Sequence, residues 1–282
     1  SCFAPVIFFC LFMTGAGGFY RASNSPNFSL LLYCMSLERK FILSARSMHK
    51  QYLLNALQYW SDYIEKYFGG GTIVSLYSSL TRRSPLYGGR KCTFPQSLSY
   101  ENVVKLNKNN IGVMVTLTNH HFSGEAYKAT LPVLEKLHNP LNSATIVNDE
   151  LARRLKTDFP DLKRKASVIK LFTHQEEIYK ALELYDFVTL QPKLNNDVDF
   201  LQSLKYKEKI ILFANATCLY KCSAPTCYKG VSDEIFYNNE HESGSCRNLQ
   251  NMDIKNNYVI FNLHDARFAG FGYFKLVPSD HL

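Results

Sequence analysis

The sequence predicts an α/β protein, a (β/α)8 TIM-like barrel with an N-terminal extension. Two observations carry this. Eight short apolar runs recur between residues 72 and 278, and most gaps between them hold an amphipathic segment with a readable helix start. The runs are apolar almost throughout rather than alternating, as in parallel strands covered on both faces. Eight such runs separated by helices fit a closed barrel. A doubly wound open sheet is the competing architecture, but no glycine fingerprint follows the first run.

The chain of 282 residues divides into an extension, 1–43, and a barrel, 44–282. The extension carries CFAPVIFFCLFM at 2–13, too short for a membrane span and weakened further by Pro5, and it has no basic n-region of a signal peptide. The expected location is the cytoplasm, unless residues 1–20 act as a signal or anchor; Met35 would serve as an alternative start. The first helix is amphipathic, with Leu53, Leu54, Leu57, Trp60, Ile64 and Phe68 at helical spacing, and the glycines at 69–71 stop it. The strands then follow as TIVSLYS (72–78), GVMVTLT (112–118), SATIVN (143–148), ASVIK (166–170), DFVTLQ (186–191), KIILFAN (209–215), YVIFNLH (258–264) and YFKLVP (273–278). Ser123 and Asn148 precede helical patterns, and the run from Thr173 to Glu176 reads as a capping box.

With 46% hydrophobic and 20% charged residues, the chain can bury a full core. A net charge of +8 and a pI near 9.0 suit an anionic partner. The basic runs, Arg82, Arg83, Arg90 and Lys91, then Arg153, Arg154, Lys163, Arg164 and Lys165, read as solvated faces more than as a binding stripe.

Barrel chemistry sits at the C-terminal strand ends. Those ends present Tyr77, Asn119, His120, Asn148, Lys170, Gln191, Lys193, Asn215, His264, Asp265 and Lys275. Ordinary polar strand caps account for part of this ring. Arg90, Asn119, Lys170, Lys193 and Asn215 are the residues expected to position a substrate.

Of eight cysteines, Cys218, Cys222, Cys227 and Cys246 crowd into one long insertion, 216–257, after the sixth run. Their spacing is C-x3-C-x4-C-x18-C. Four thiolates complete a shell for zinc or for an iron–sulfur cluster. The tight C-x2-C turn typical of zinc ribbons is absent, so a 4Fe–4S cluster is expected, with zinc as the alternative and His241 as a substitute fourth ligand. The C-x3-C-x2-C of radical S-adenosylmethionine enzymes is also absent. Surface thiols or disulfides are the plainer reading.

The stretches TIVSLYSS, YGGR at 87–90, VMVTLTNHHF, NATCLYKC and the closing GFGYFKLVPSD together resemble the collagenase-like "peptidase" family over about residues 50–278. The resemblance is to an uncharacterised branch with an Asn-x2-Cys-x3-Cys motif, here Asn215, Cys218 and Cys222, followed by Tyr228. It implies a barrel related to iron–sulfur proteins of oxygen-independent hydroxylation, acting on RNA or a small anionic or aromatic substrate, with a protein partner of the same family. This chain departs from the pattern at Val277-Pro278-Ser279, where an acidic Gly-Arg ending is expected, and in the closeness of its cysteines. Two function classes follow: an iron–sulfur-dependent oxidoreductase or hydroxylase, and a non-catalytic binding module whose loop is stapled by zinc or disulfides. Proteolysis is disfavoured, since no HExxH or GxSxG stretch occurs.

Overall fold

The computed structural model describes residues 38–45, 48, 52–89, 97–222, 226–238 and 258–277. The expected extension up to residue 37, with Cys2, Cys10 and Cys34, lies outside them, as do Arg90, Cys92, His241 and Cys246.

Eight parallel strands close into a barrel: β1 (Lys40–Ser44), β2 (Thr72–Ser78), β3 (Gly112–Leu117), β4 (Ser143–Ile146), β5 (Lys163–Ala166), β6 (Phe187–Thr189), β7 (Ile210–Phe213) and β10 (Tyr273–Leu276). Each pairs with its neighbour in parallel, and β10 closes the ring between β7 and β1. Two further strands, β8 (Asn215–Ala216) and β9 (Val259–Ile260), form a small antiparallel ribbon outside it.

Two expectations are corrected here. The run 258–264 contributes only β9, and the eighth barrel strand is β1, which straddles the expected boundary at residue 43. The fifth strand is KRKA at 163–166, and Val168–Lys170 of the expected strand is a 3-10 turn. The residues taken as a solvated basic run therefore include two buried strand positions, Arg164 and Lys165, while Arg153 and Arg154 do face solvent.

The helices are α1 (Leu53–Phe68), α2 (Tyr100–Lys108), α3 (Gly124–Leu137), α4 (Asp149–Asp158), α5 (Gln175–Leu182), α6 (Val198–Ser203) and α7 (Cys227–Tyr237). α1 buries Leu53, Leu57, Trp60, Tyr63, Ile64 and Phe68, the stripe its spacing predicts. Gly69 ends it at φ +66, a left-handed conformation that suits glycine, and its N–H bonds the Glu65 carbonyl. Ser123 and Asn148 cap α3 and α4 through side-chain oxygens. The cap of α5 falls one residue later than expected: Glu177 accepts the N–H groups of both Thr173 and His174. The outward strand faces and inward helix faces share one large core that includes Phe41, Leu76, Val113, Leu134, Ile146, Leu155, Leu212 and Phe274. Among the described residues no helix is long and apolar enough to cross a membrane.

Candidate functional site at the carboxyl end of the barrel

Side chains on a barrel strand alternate between the helices and the interior. Register and alternation sort the interior into levels, each drawn from alternate strands. Ser143, Phe187 and Tyr273 make the lowest, the Phe187 and Tyr273 rings 4.9 Å apart, and Val74 packs against the same interior from a bulge in β2. Ile42, Met114 and Ile211 pack together on the next level, and Lys165 of β5 takes its fourth place. Above that the interior turns polar. Tyr77, Thr145, Thr189 and Lys275 share a level, and the Lys275 ammonium lies 4.1 Å from the Tyr77 ring centroid. Thr116 stands higher still on β3, its hydroxyl buried without a hydrogen-bond partner. The barrel interior thus has a mostly apolar floor and, toward the C-terminal strand ends, a polar upper half, the well.

Two buried asparagines finish opposite strands. Asn119, just past β3, donates through Nδ2 to the carbonyls of Pro85, Tyr87 and Ser232 at 3.0, 3.2 and 3.0 Å and accepts from the His121 N–H at 2.9 Å. Asn215, just past β7, exchanges both hydrogen bonds with Val277 and donates to the Tyr258 hydroxyl. Both spend their amide on holding chain segments together, which matches the need of a buried amide for partners. Asn119 also depends on a close approach: a Cβ at Gly88 would lie 2.5 Å from the Thr118 carbonyl and 2.8 Å from the Asn119 nitrogen.

Helix α7 belongs to the insertion that leaves the barrel after β7, yet it docks on the opposite strand end, β3. Ser232 Oγ accepts from the His120 N–H at 3.3 Å and meets His120 Nδ1 at 2.9 Å, while donating to the Tyr228 carbonyl. With its proton committed and the residue fully buried, Ser232 is a clamp and not an activated nucleophile. Burial, and then the neighbouring His121, hold the His120 pKa below its usual value, which favours the neutral ring. His121 Nε2 lies 2.6 Å from Asp233 Oδ1, with the Phe236 and Tyr237 rings each 5.1 Å from its own. None of Ser232, Asp233, Phe236 or Tyr237 carries a sequence signal that pairs it with His120 or His121.

The other expected residues scatter. Lys170 donates to the Val147 carbonyl at 3.0 Å and to Asp149 Oδ1 at 2.7 Å; burial raises the Asp149 pKa, but Lys170, the Tyr185 hydroxyl and Arg153 together leave it below its usual value. Lys193 is exposed on the 3-10 turn Pro192–Asn196, and Arg90 lies outside the described residues. Cys218 begins a 3-10 turn whose carbonyl accepts the Cys222 N–H at 2.8 Å, and Cys227 opens α7; all three are half-buried. Among the described residues no three His, Cys, Asp or Glu side chains gather closely enough to hold a metal ion. The described cysteines therefore do not fit a cage by themselves, and Cys246 lies outside the description.

Lys165 is the buried interior residue whose place sequence reasoning missed. The one available signal was parity: Lys163 and Lys165 fall on one face of a short strand, and Arg164 on the other.

No protein-family model matches the chain, and no curated protein matches it. A solved structure described as the U32 peptidase Mk0906 aligns with a TM-score of 0.54 and 12% identity, covering 94% of this chain and 98% of that one. At that identity the likeness shows the fold: the chain shares its closed parallel barrel with a U32 peptidase.

Proposed function

We propose that this chain is a barrel enzyme that takes a small anionic or aromatic substrate into the polar well, beneath the cysteine-bearing insertion. The observation that carries this reading is the Lys275–Tyr77 pair, an ammonium 4.1 Å from a ring centroid, facing inward among Thr145 and Thr189. An ammonium there offers a charge to an anion, and the tyrosine face offers stacking to an aromatic ring. C-terminal strand ends are where barrel enzymes bind their substrates.

The finer reading is an iron–sulfur protein of oxygen-independent hydroxylation, with RNA or a small aromatic compound as substrate and Cys218, Cys222, Cys227 and Cys246 as ligands of a 4Fe–4S cluster, or of zinc. A cluster at these strand ends would supply electron transfer. Support comes from the crowding of the four cysteines in one insertion and from the position of the first three at the carboxyl end of the barrel. The second reading is a binding module without redox chemistry, whose cysteine-rich loop is stapled by zinc or by disulfides.

Metal analysis of anaerobically prepared wild type beside Cys222→Ser separates them. Iron and sulfide in the wild type, lost in a variant that still folds, supports the cluster. Stoichiometric zinc in both, or metal in neither, rules out the redox reading.

A further inference from the structure

Lys165 is left unused by the substrate contacts just described. The residue is 6% exposed, and its ammonium has no hydrogen bond or ion pair among the described residues. It rests over the Phe187 ring at 5.4 Å. Asp186, the acid that acts on it, is engaged by Arg164, whose Nη2 lies 3.0 Å from the carboxylate. The inward neighbours of Lys165 on β4 and β6 are Thr145, Phe187 and Thr189, none of them charged; Lys275 is the cation on the level above. Three buried hydroxyls on β2, β3 and β4, those of Ser75, Thr116 and Ser143, also have no hydrogen-bond partner. Buried polar groups are almost always satisfied in native proteins, by ordered water where no protein group serves.

An ammonium in this setting is penalised, and burial brings its pKa down to about 8 against the weaker opposing pull of Asp186. The neutral amine that results is a nucleophile. We propose that Lys165 is a reactive amine at the floor of the well that takes a small aldehyde or ketone as an imine. This rests on the well being the substrate site. The amine lone pair attacks the carbonyl carbon, forming a C–N bond as the carbonyl π bond opens. A proton passes from nitrogen to oxygen to give a carbinolamine. The C–O bond then breaks, water leaves and a C=N bond remains, with no change of oxidation state. Thr145, directly across from Lys165, and Thr116, directly across from Thr145, are placed to hydrogen-bond the carbinolamine hydroxyl.

The test is incubation of the full chain with glycolaldehyde and cyanoborohydride at pH 7.5, with the modified lysines located by peptide mass mapping. A lysine of ordinary pKa holds on the order of 100-fold less neutral amine at that pH. The expected result is a reduced adduct on Lys165 that forms roughly tenfold or more faster than on any exposed lysine. It should vanish in Lys165→Met and in Lys165→Arg, which keeps the charge but forms no imine, and persist in Lys193→Ala. Adducts on exposed lysines with Lys165 unmodified overturn the proposal. Calorimetric binding of benzoate, compared with Lys275→Met, tells the two failures apart. Binding that needs Lys275 without labelling at Lys165 removes the amine chemistry and keeps the well; loss of both removes the well as well.

Discussion

The lower and upper halves of the barrel interior are built from the same alternation on the same strands, yet they are opposite in character. Below, Ile42, Met114 and Ile211 pack against Val74, Phe187 and Tyr273 as a hydrophobic plug. Above, the inward positions of β2, β3, β4, β6 and β10 carry Tyr77, Thr116, Thr145, Thr189 and Lys275. The floor therefore packs as a hydrophobic core, and the well carries polar groups in place of that packing. Lys165 sits at the seam, a cation on an otherwise apolar level.

That division is open to direct attack. Met114→Ala should cost about 3 kcal/mol in urea unfolding, because a buried methionine leaves a cavity, whereas Thr189→Ala one level up should cost under about 1 kcal/mol. Equal losses would erase the distinction between floor and well. At the seam the effect depends on pH. Lys165 has a folded pKa near 8, below its unfolded value, so between about pH 8 and the usual lysine pKa the unfolded chain binds more protons and stability rises with pH. Wild type should gain about 2 kcal/mol relative to Lys165→Met from pH 8 to pH 10; parallel stability curves would mean that the ammonium is not penalised there. Asn119→Ala should cost about 2 kcal/mol, since it strands several carbonyls at one strand end, and it should loosen α7 as seen by amide exchange. The smallest effect is expected of Asp233→Asn, under about 1 kcal/mol for a partly exposed pair, with faster exchange confined to α7.

The barrel was legible because several of its strands are apolar on both faces, as IILF in β7 shows, and because caps such as Asn148 mark the helices between them. Strand β5 was misplaced because KRKA defeats any hydrophobic criterion. Arg164 survives on the helix side by pairing with Asp186, and Lys165 survives inside by lying over Phe187, facts that need the tertiary structure to be known. β1 escaped notice as a five-residue run at the edge of the extension. At the site, Tyr77 and Lys275 were read as strand-end polar residues, and the structure brings them together. Asn119 and Asn215 were read as substrate contacts because sequence cannot tell an amide facing a ligand from one bonded to backbone. The docking of α7 on His120 and His121 joins residues more than a hundred positions apart, beyond the reach of any local pattern.

The close approach at Gly88 has a consequence for how this barrel can vary. A methyl group there would drive the loop after β2 off the Thr118–Asn119 peptide, and with it the amide that anchors the carbonyls of Pro85, Tyr87 and Ser232. In a library of variants selected for folding, position 88 should act as a bottleneck that no compensating side chain widens, because the obstruction is backbone. Thr189 and its hydroxyl-bearing neighbours in the well should drift freely under the same selection, and be held only when the selection is for activity.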